Sequence, residues 1–222
     1  MTAHPKVTLV TCKSMPNLFK GEEGLLDELA ARGCDPQIKV WNDPDVDWSE
    51  AGMVVVRSVS DYASDRQAFL EWTKQLRRVQ NSADVLNWNT DKHYLKELAA
   101  LGMPTIPTNW LEPEQNLSKH QIHTRFPAFG EFVVKPAVSS GVRDIGRYTT
   151  VDIRQRQAAM RQVQGLLGDG RSVMIQRYVE EIDLHGEISL VFFNGLVSHA
   201  VEKRSALHPA SVTNPEMHEA VV

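Results

Sequence analysis

Chemistry is most legible where a lysine interrupts an apolar strand. Residues Phe132-Val-Val-Lys-Pro-Ala-Val-Ser-Ser-Gly141 read as a buried strand carrying Lys135, followed by the small-residue loop Ser139-Ser140-Gly141. An ammonium in such a strand is costly unless an anion meets it. Phosphate is a natural partner, because small loop residues let backbone N–H groups approach it. A second lysine, Lys92, closes Leu86-Asn-Trp-Asn-Thr-Asp-Lys92, which reads as a short strand running into a helix. Lysines on two such elements suggest a nucleoside triphosphate held between them. The plainer alternatives are an edge strand that points Lys135 to water, and a tight turn at Ser139-Ser140-Gly141.

A second polar constellation, Arg57, Ser58, Asp61 and Tyr62, follows the apolar run at 53–56. Ligands of open α/β sheets bind at strand C-termini. Arg57 can grip a carboxylate with two parallel bonds, and Asp61 can hold an ammonium. Together they suit a small amino-acid-like substrate. The alternative is an Arg57–Asp61 ion pair that only fixes the loop.

The elements that must position these residues follow from periodicity. Strands are expected at 7–12, 37–41 and 53–56, and helices at 24–31 and 65–79, with Gly33 as a stop. This alternation predicts a small parallel-sheet α/β domain. A helix over 91–101 ends at Gly102, and Pro104, Pro107 and Pro113 then punctuate an extended connection. Strands at 132–135, 147–151 and 173–179, with a helix at 153–167, indicate an α+β second part. Asn194-Gly195 between alternating runs signals a hairpin. Trp88 reads as a core residue at the domain junction, and Asn89 or Thr90 as the cap of the next helix. The segment from Ser205 onward is polar, and the chain reads as cut short.

Composition bounds the function class. The chain has 222 residues, 42% of them hydrophobic and 23% charged, with a formal net charge of −4. No basic block points to nucleic acid, and no apolar run has the length of a bilayer span. No signal peptide is read at the start, and Cys12 and Cys34 are expected as free thiols, which suits the cytoplasm. Walker-type Gly-x-x-x-x-Gly-Lys, Cys-x-x-Cys, His-Glu-x-x-His and Gly-x-Ser-x-Gly motifs do not occur.

Read in order, several stretches resemble the ATP-grasp superfamily: Trp88-Asn-Thr-Asp-Lys92, Gly102-Met-Pro-Thr-Ile-Pro-Thr, Val133-Val-Lys135-Pro-Ala-Val-Ser-Ser-Gly141, Gln176-Arg-Tyr-Val179, Gly186-Glu187 through Asn194-Gly195, and Ser198-His-Ala-Val-Glu-Lys203. Val54-Val-Val-Arg57-Ser-Val-Ser-Asp61-Tyr62 and Phe69-Leu-Glu-Trp72 are similar to the group with a glutathione-synthetase-type ATP-binding domain that includes the D-cycloserine-forming cyclo-ligases. Any one motif is weak, but their common order is specific.

The resemblance implies a pre-ATP-grasp domain over 1–87, a central region over 88–180 and an incomplete C-terminal lobe over 181–222. It implies ATP and Mg²⁺ as cofactors, with Lys92 and Lys135 on the phosphates and Ser139, Ser140 and Gly141 as a mobile covering loop. Gln176, Tyr178 and Val179 would form the adenine hinge, with side-chain identity of little consequence there. Glu180, Glu181 and Asp183 would bond the ribose hydroxyls unless they are only a solvated acidic turn, Glu187 would lie near ribose or metal, and Lys203 would serve the transferring phosphoryl group. Arg57, Ser58, Asp61 and Tyr62 would hold the substrate. No metal ligand is assigned, because nothing after Lys203 resembles the family's metal strand. Relatives are often homodimers. The activity implied is ATP-dependent carboxylate–amine ligation through an acylphosphate, within one molecule or between two. The rival is a non-catalytic nucleotide-binding or interaction module.

Overall fold

The computed structural model describes residues 4–207. By packing, these fall into two compact units: 4–103 with 138–141, and 104–137 with 142–207.

The first unit starts with β1 (Lys6–Thr11), α1 (Gly24–Ala31), β2 (Asp35–Val40) and β3 (Met53–Ser58). It continues with α2 (Arg66–Gln75), β4 (Val79–Gln80), α3 (Ala83–Asn89) and α4 (Tyr94–Ala100). The strands form a parallel sheet in the order β2-β1-β3-β4. Alternation along the strands builds a core on each face. Val10 and Val54 pack with Phe69, Trp72 and Trp41, while Val7 and Leu9 pack with Leu18, Leu26 and Leu29. Full burial of such side chains contributes about 1.5–3 kcal/mol each, so this sheet is a firm platform for residues at its strand ends.

Two expectations about this unit are corrected. The stretch at 86–92 is not a strand. Ser82 accepts a hydrogen bond from Val85 N (3.3 Å) and caps α3, which runs through it. Short apolar runs fit either period, and here the cap decides. Trp88 is 41% exposed rather than core; its Nε1 donates to Glu97 (2.8 Å) and its ring packs on Tyr94. Thr90 ends α3 instead of capping the next helix. The helix expected over 65–79 stops at Gln75, and Val79 pairs with Val54 as part of β4.

The second unit contains β5 (Thr108–Leu111), α5 (Lys119–His123), β6 (Glu131–Pro136), β7 (Gly146–Thr149) and α6 (Ile153–Gly168). It ends with β8 (Val173–Arg177), α7 (Glu181–His185), β9 (Glu187–Phe193) and β10 (Leu196–Lys203). Four strands form an antiparallel sheet in the order β5-β8-β6-β7. The proline-rich connection therefore contains an unexpected edge strand, β5. Helix α6 covers this sheet with Ala159, Val163 and Leu166 against Phe132, Val134 and Ile175. Its N-terminus is capped by Asp152, which accepts from Arg154 N (2.8 Å). Strands β9 and β10 form a separate hairpin carrying exposed Leu190, Phe192, Phe193 and Leu196.

Candidate active site

Lys135 lies in β6, an inner strand with β8 on one side and β7 on the other. It is half-buried, between buried Val134 and Pro136, so the edge-strand alternative is excluded. Burial holds its pKa below lysine's ordinary value, and the charge of Glu187 opposes that shift. Glu187 is exposed at the start of β9, directly across the hairpin from Lys203 at the end of β10. Gly186 makes this crossing possible: a Cβ there would lie 2.4 Å from the Lys203 carbonyl oxygen, and its φ is +70°.

Lys92 sits between α3 and α4 and is half-buried. Its Nζ donates to Ser139 Oγ (2.7 Å) and to the Ser139 carbonyl (3.1 Å). Tyr62, in the short turn after β3, donates its hydroxyl to the same carbonyl (3.0 Å). Lys92, Ser139 and Tyr62 thus converge within the first unit. Ser140 is half-buried, and Gly141 is exposed at φ +63° with open space beside it.

The four residues around Arg57 do not all converge. Arg57 and Ser58 are the last residues of β3 itself. Arg57 pairs with Glu22, and Ser58 Oγ donates to the other oxygen of the same carboxylate (2.5 Å) while accepting from Phe19 N (3.0 Å). Asp61 instead accepts from Trp41 Nε1 (2.7 Å). No Arg57–Asp61 pair forms among the described residues; Glu22, 35 positions away from Arg57, takes that part. Cys12, buried at the end of β1, bonds Ser14 and lies near Ser60. Burial pushes its thiol up, but these hydrogen bonds outweigh that and leave its pKa below the ordinary value.

Near the end of β8, Gln176 is 5% exposed and donates its side-chain amide to Thr108 Oγ1 (2.7 Å), tying β8 to β5. Its side chain therefore has a structural duty, against the expectation that identity there matters little. The Tyr178 N–H donates to the Glu131 carbonyl (2.9 Å) and the Val179 carbonyl accepts from Ile182 N (3.1 Å). Arg147 stacks its guanidinium 3.7 Å over the Tyr178 ring and bridges Glu131 (2.5 Å) and Asp183 (2.8 Å). Burial works against the Arg147 charge, but these carboxylates overcome it and raise its pKa. Asp183 also accepts from the Tyr178 hydroxyl. Glu181 is exposed in the first turn of α7.

Glu22, Arg147 and Asp183 are the residues that sequence reading missed or undervalued. Their partners are remote in sequence, and no local period marks them. Among the described residues, no group of three or more His, Cys, Asp or Glu side chains clusters as a metal site.

The family described as "D-cycloserine synthetase DcsG, N-terminal domain" matches residues 7–87. The cycloserine biosynthesis protein DcsG of Streptomyces lavendulae is 36% identical over 191 residues, which is 83% of this chain and 62% of that protein. The crystal structure of D-cycloserine synthetase DcsG is 33% identical, with a TM-score of 0.80, over 92% of this chain and 69% of that one. The chain belongs to the D-cycloserine synthetase family. An ATP-grasp RimK domain protein from Sphaerobacter thermophilus, 17% identical, superimposes with a TM-score of 0.64 over 96% of this chain and 80% of its own. That likeness shows the fold: this D-cycloserine synthetase family member has the ATP-grasp architecture, preceded by a parallel-sheet unit. The chain spans less than two thirds of the S. lavendulae protein. No helix among the described residues is long and apolar enough to cross a membrane.

Proposed function

We propose that the protein is an ATP-dependent ligase that joins a carboxylate to an amine in a small amino-acid-like substrate. The observation that carries this reading is Lys135: a half-buried ammonium on an inner strand, in a chain 33% identical to D-cycloserine synthetase. An ammonium held there at a desolvation cost is suited to an anion arriving with the ligand. The ring-closing form of the reaction is the one that the likeness to DcsG supports. A non-catalytic module is not favoured, since the relatives that match over most of the chain are named as a synthetase and a biosynthesis protein.

When bound, ATP with Mg²⁺ would supply the phosphoryl group that turns the carboxylate into an acylphosphate. Lys135 and Lys92 act as point charges for the phosphates, and Lys203, with Glu187 fixing its surroundings, stabilises the group in transfer. Ser139, Ser140 and Gly141 exclude water. Gln176, Tyr178 and Val179 form the adenine hinge, beside Glu181 for the ribose. Arg57 and Ser58 orient the substrate carboxylate, and Asp61 the remainder of the molecule. The amine attacks the acyl carbon, phosphate leaves with its oxygen, and the amine proton passes to solvent. ADP and phosphate are the products, formed in the cytoplasm.

Hydroxylamine trapping tests this. With MgATP and a panel of small amino acids, hydroxylamine should intercept the acylphosphate as a hydroxamate in step with ADP release. ADP release that no amino acid stimulates, with no hydroxamate, would contradict the ligase reading.

A further inference from the structure

The loop at 138–141 packs with the first unit, although the residues on both sides of it, 137 and 142, belong to the second. Its anchor is Ser139, which is 7% exposed. The Ser139 carbonyl accepts from both Tyr62 Oη (3.0 Å) and Lys92 Nζ (3.1 Å), and its Oγ accepts from Lys92 as well (2.7 Å). Such a convergence on one loop residue fixes the loop's position before any ligand arrives. We propose that Tyr62 is a loop-positioning residue: with Lys92 it latches Ser139, and nucleotide phosphate opens the latch by drawing Lys92 away.

The physical basis is competition for one ammonium. Ser139 offers Lys92 neutral acceptors, whereas phosphate offers anionic ones, and charge-assisted hydrogen bonds are roughly twice as strong. Once Lys92 turns to phosphate, the Tyr62 bond is what remains of the three described contacts on Ser139. Tyr62 therefore sets how firmly the loop is held. Its ring is fixed by packing near Phe69 (5.7 Å between centroids). Burial raises its pKa, so its hydroxyl stays protonated and able to donate at neutral pH. At Gly141, φ is +63° and a Cβ would meet nothing within 4 Å. This role departs from the substrate contact expected of Tyr62.

The variant Tyr62→Phe keeps the ring and removes only the hydroxyl. In nucleotide-free protein, amide hydrogen exchange at residues 138–141 should speed up about fivefold, the worth of one hydrogen bond, while exchange at 6–11 stays unchanged. Lys92→Met should accelerate the same loop. Unchanged loop exchange in both variants would overturn the latch. So would acceleration spread equally over β1, which would mark general destabilisation. The nucleotide half of the inference rests on the proposed function: Tyr62→Phe should associate with MgATP several-fold faster than wild type. If wild type binds no ATP, the proposed function fails while the exchange result still decides the latch. If wild type binds and the variant binds no faster, the opening role fails alone.

Discussion

Lys135 is charged in a place that disfavours charge, and this has a measurable consequence. Its pKa is depressed in the folded protein, so the unfolded chain binds the proton more tightly. The cost of burying the ammonium is fully present below the folded pKa and disappears as pH rises past lysine's ordinary value. Lys135→Met should therefore stabilise the nucleotide-free protein at neutral pH, with the gain shrinking as the solution becomes alkaline. Urea denaturation at a series of pH values checks this; a gain that grows with pH would be the wrong sign. Arg57 raises a different issue, because Glu22 already occupies its guanidinium. In the proposed ligase, the substrate carboxylate must displace Glu22. Arg57→Ala should raise the apparent KM for the amino-acid substrate roughly ten- to a hundredfold, the worth of a charged hydrogen bond, and leave that for ATP within about twofold. Equal effects on both would assign Arg57 to the fold.

At the scale of elements, the segment after β8 depends on a side chain from β7. Arg147 covers the Tyr178 ring and joins Glu131 to Asp183. Arg147→Ala leaves those carboxylates without this shared cation and should cost about 2–4 kcal/mol, measured by thermal or urea unfolding. A loss under about 0.5 kcal/mol would mean that solvent replaces the guanidinium freely. The parallel sheet was legible because its strands are apolar runs with clear stops. The hairpin was legible because Asn194 (φ 50°) and Gly195 (φ 79°) adopt the left-handed conformations that a tight two-residue turn requires. Strand β5 was not: it is four residues long, lies among prolines and buries only Leu111 fully. The region at 86–92 misled because a short apolar run has no decisive period, and the Ser82 cap lies outside it. In the candidate site, Lys92 and Lys135 stand out by residue type and local motif. The partners of Lys92 and Arg57 do not, since 47 and 35 positions separate them from Ser139 and Glu22. Only the tertiary fold brings such pairs together.

For the whole molecule, the family and the ATP-grasp fold are firm, and the parallel-sheet unit and the antiparallel sheet each have their own apolar core. The chain spans 62% of the S. lavendulae protein, so the activity is a claim about what these residues themselves can hold. Its centre is that Lys135 is kept half-buried to meet a nucleotide phosphate. Titration calorimetry with MgATP, on the chain itself and on Lys135→Ala, tests this most directly. The account predicts one saturable site in the wild type and binding weakened at least about a hundredfold in the variant, as expected when a desolvated charge pair loses one partner. Equal affinity in the two proteins would contradict it.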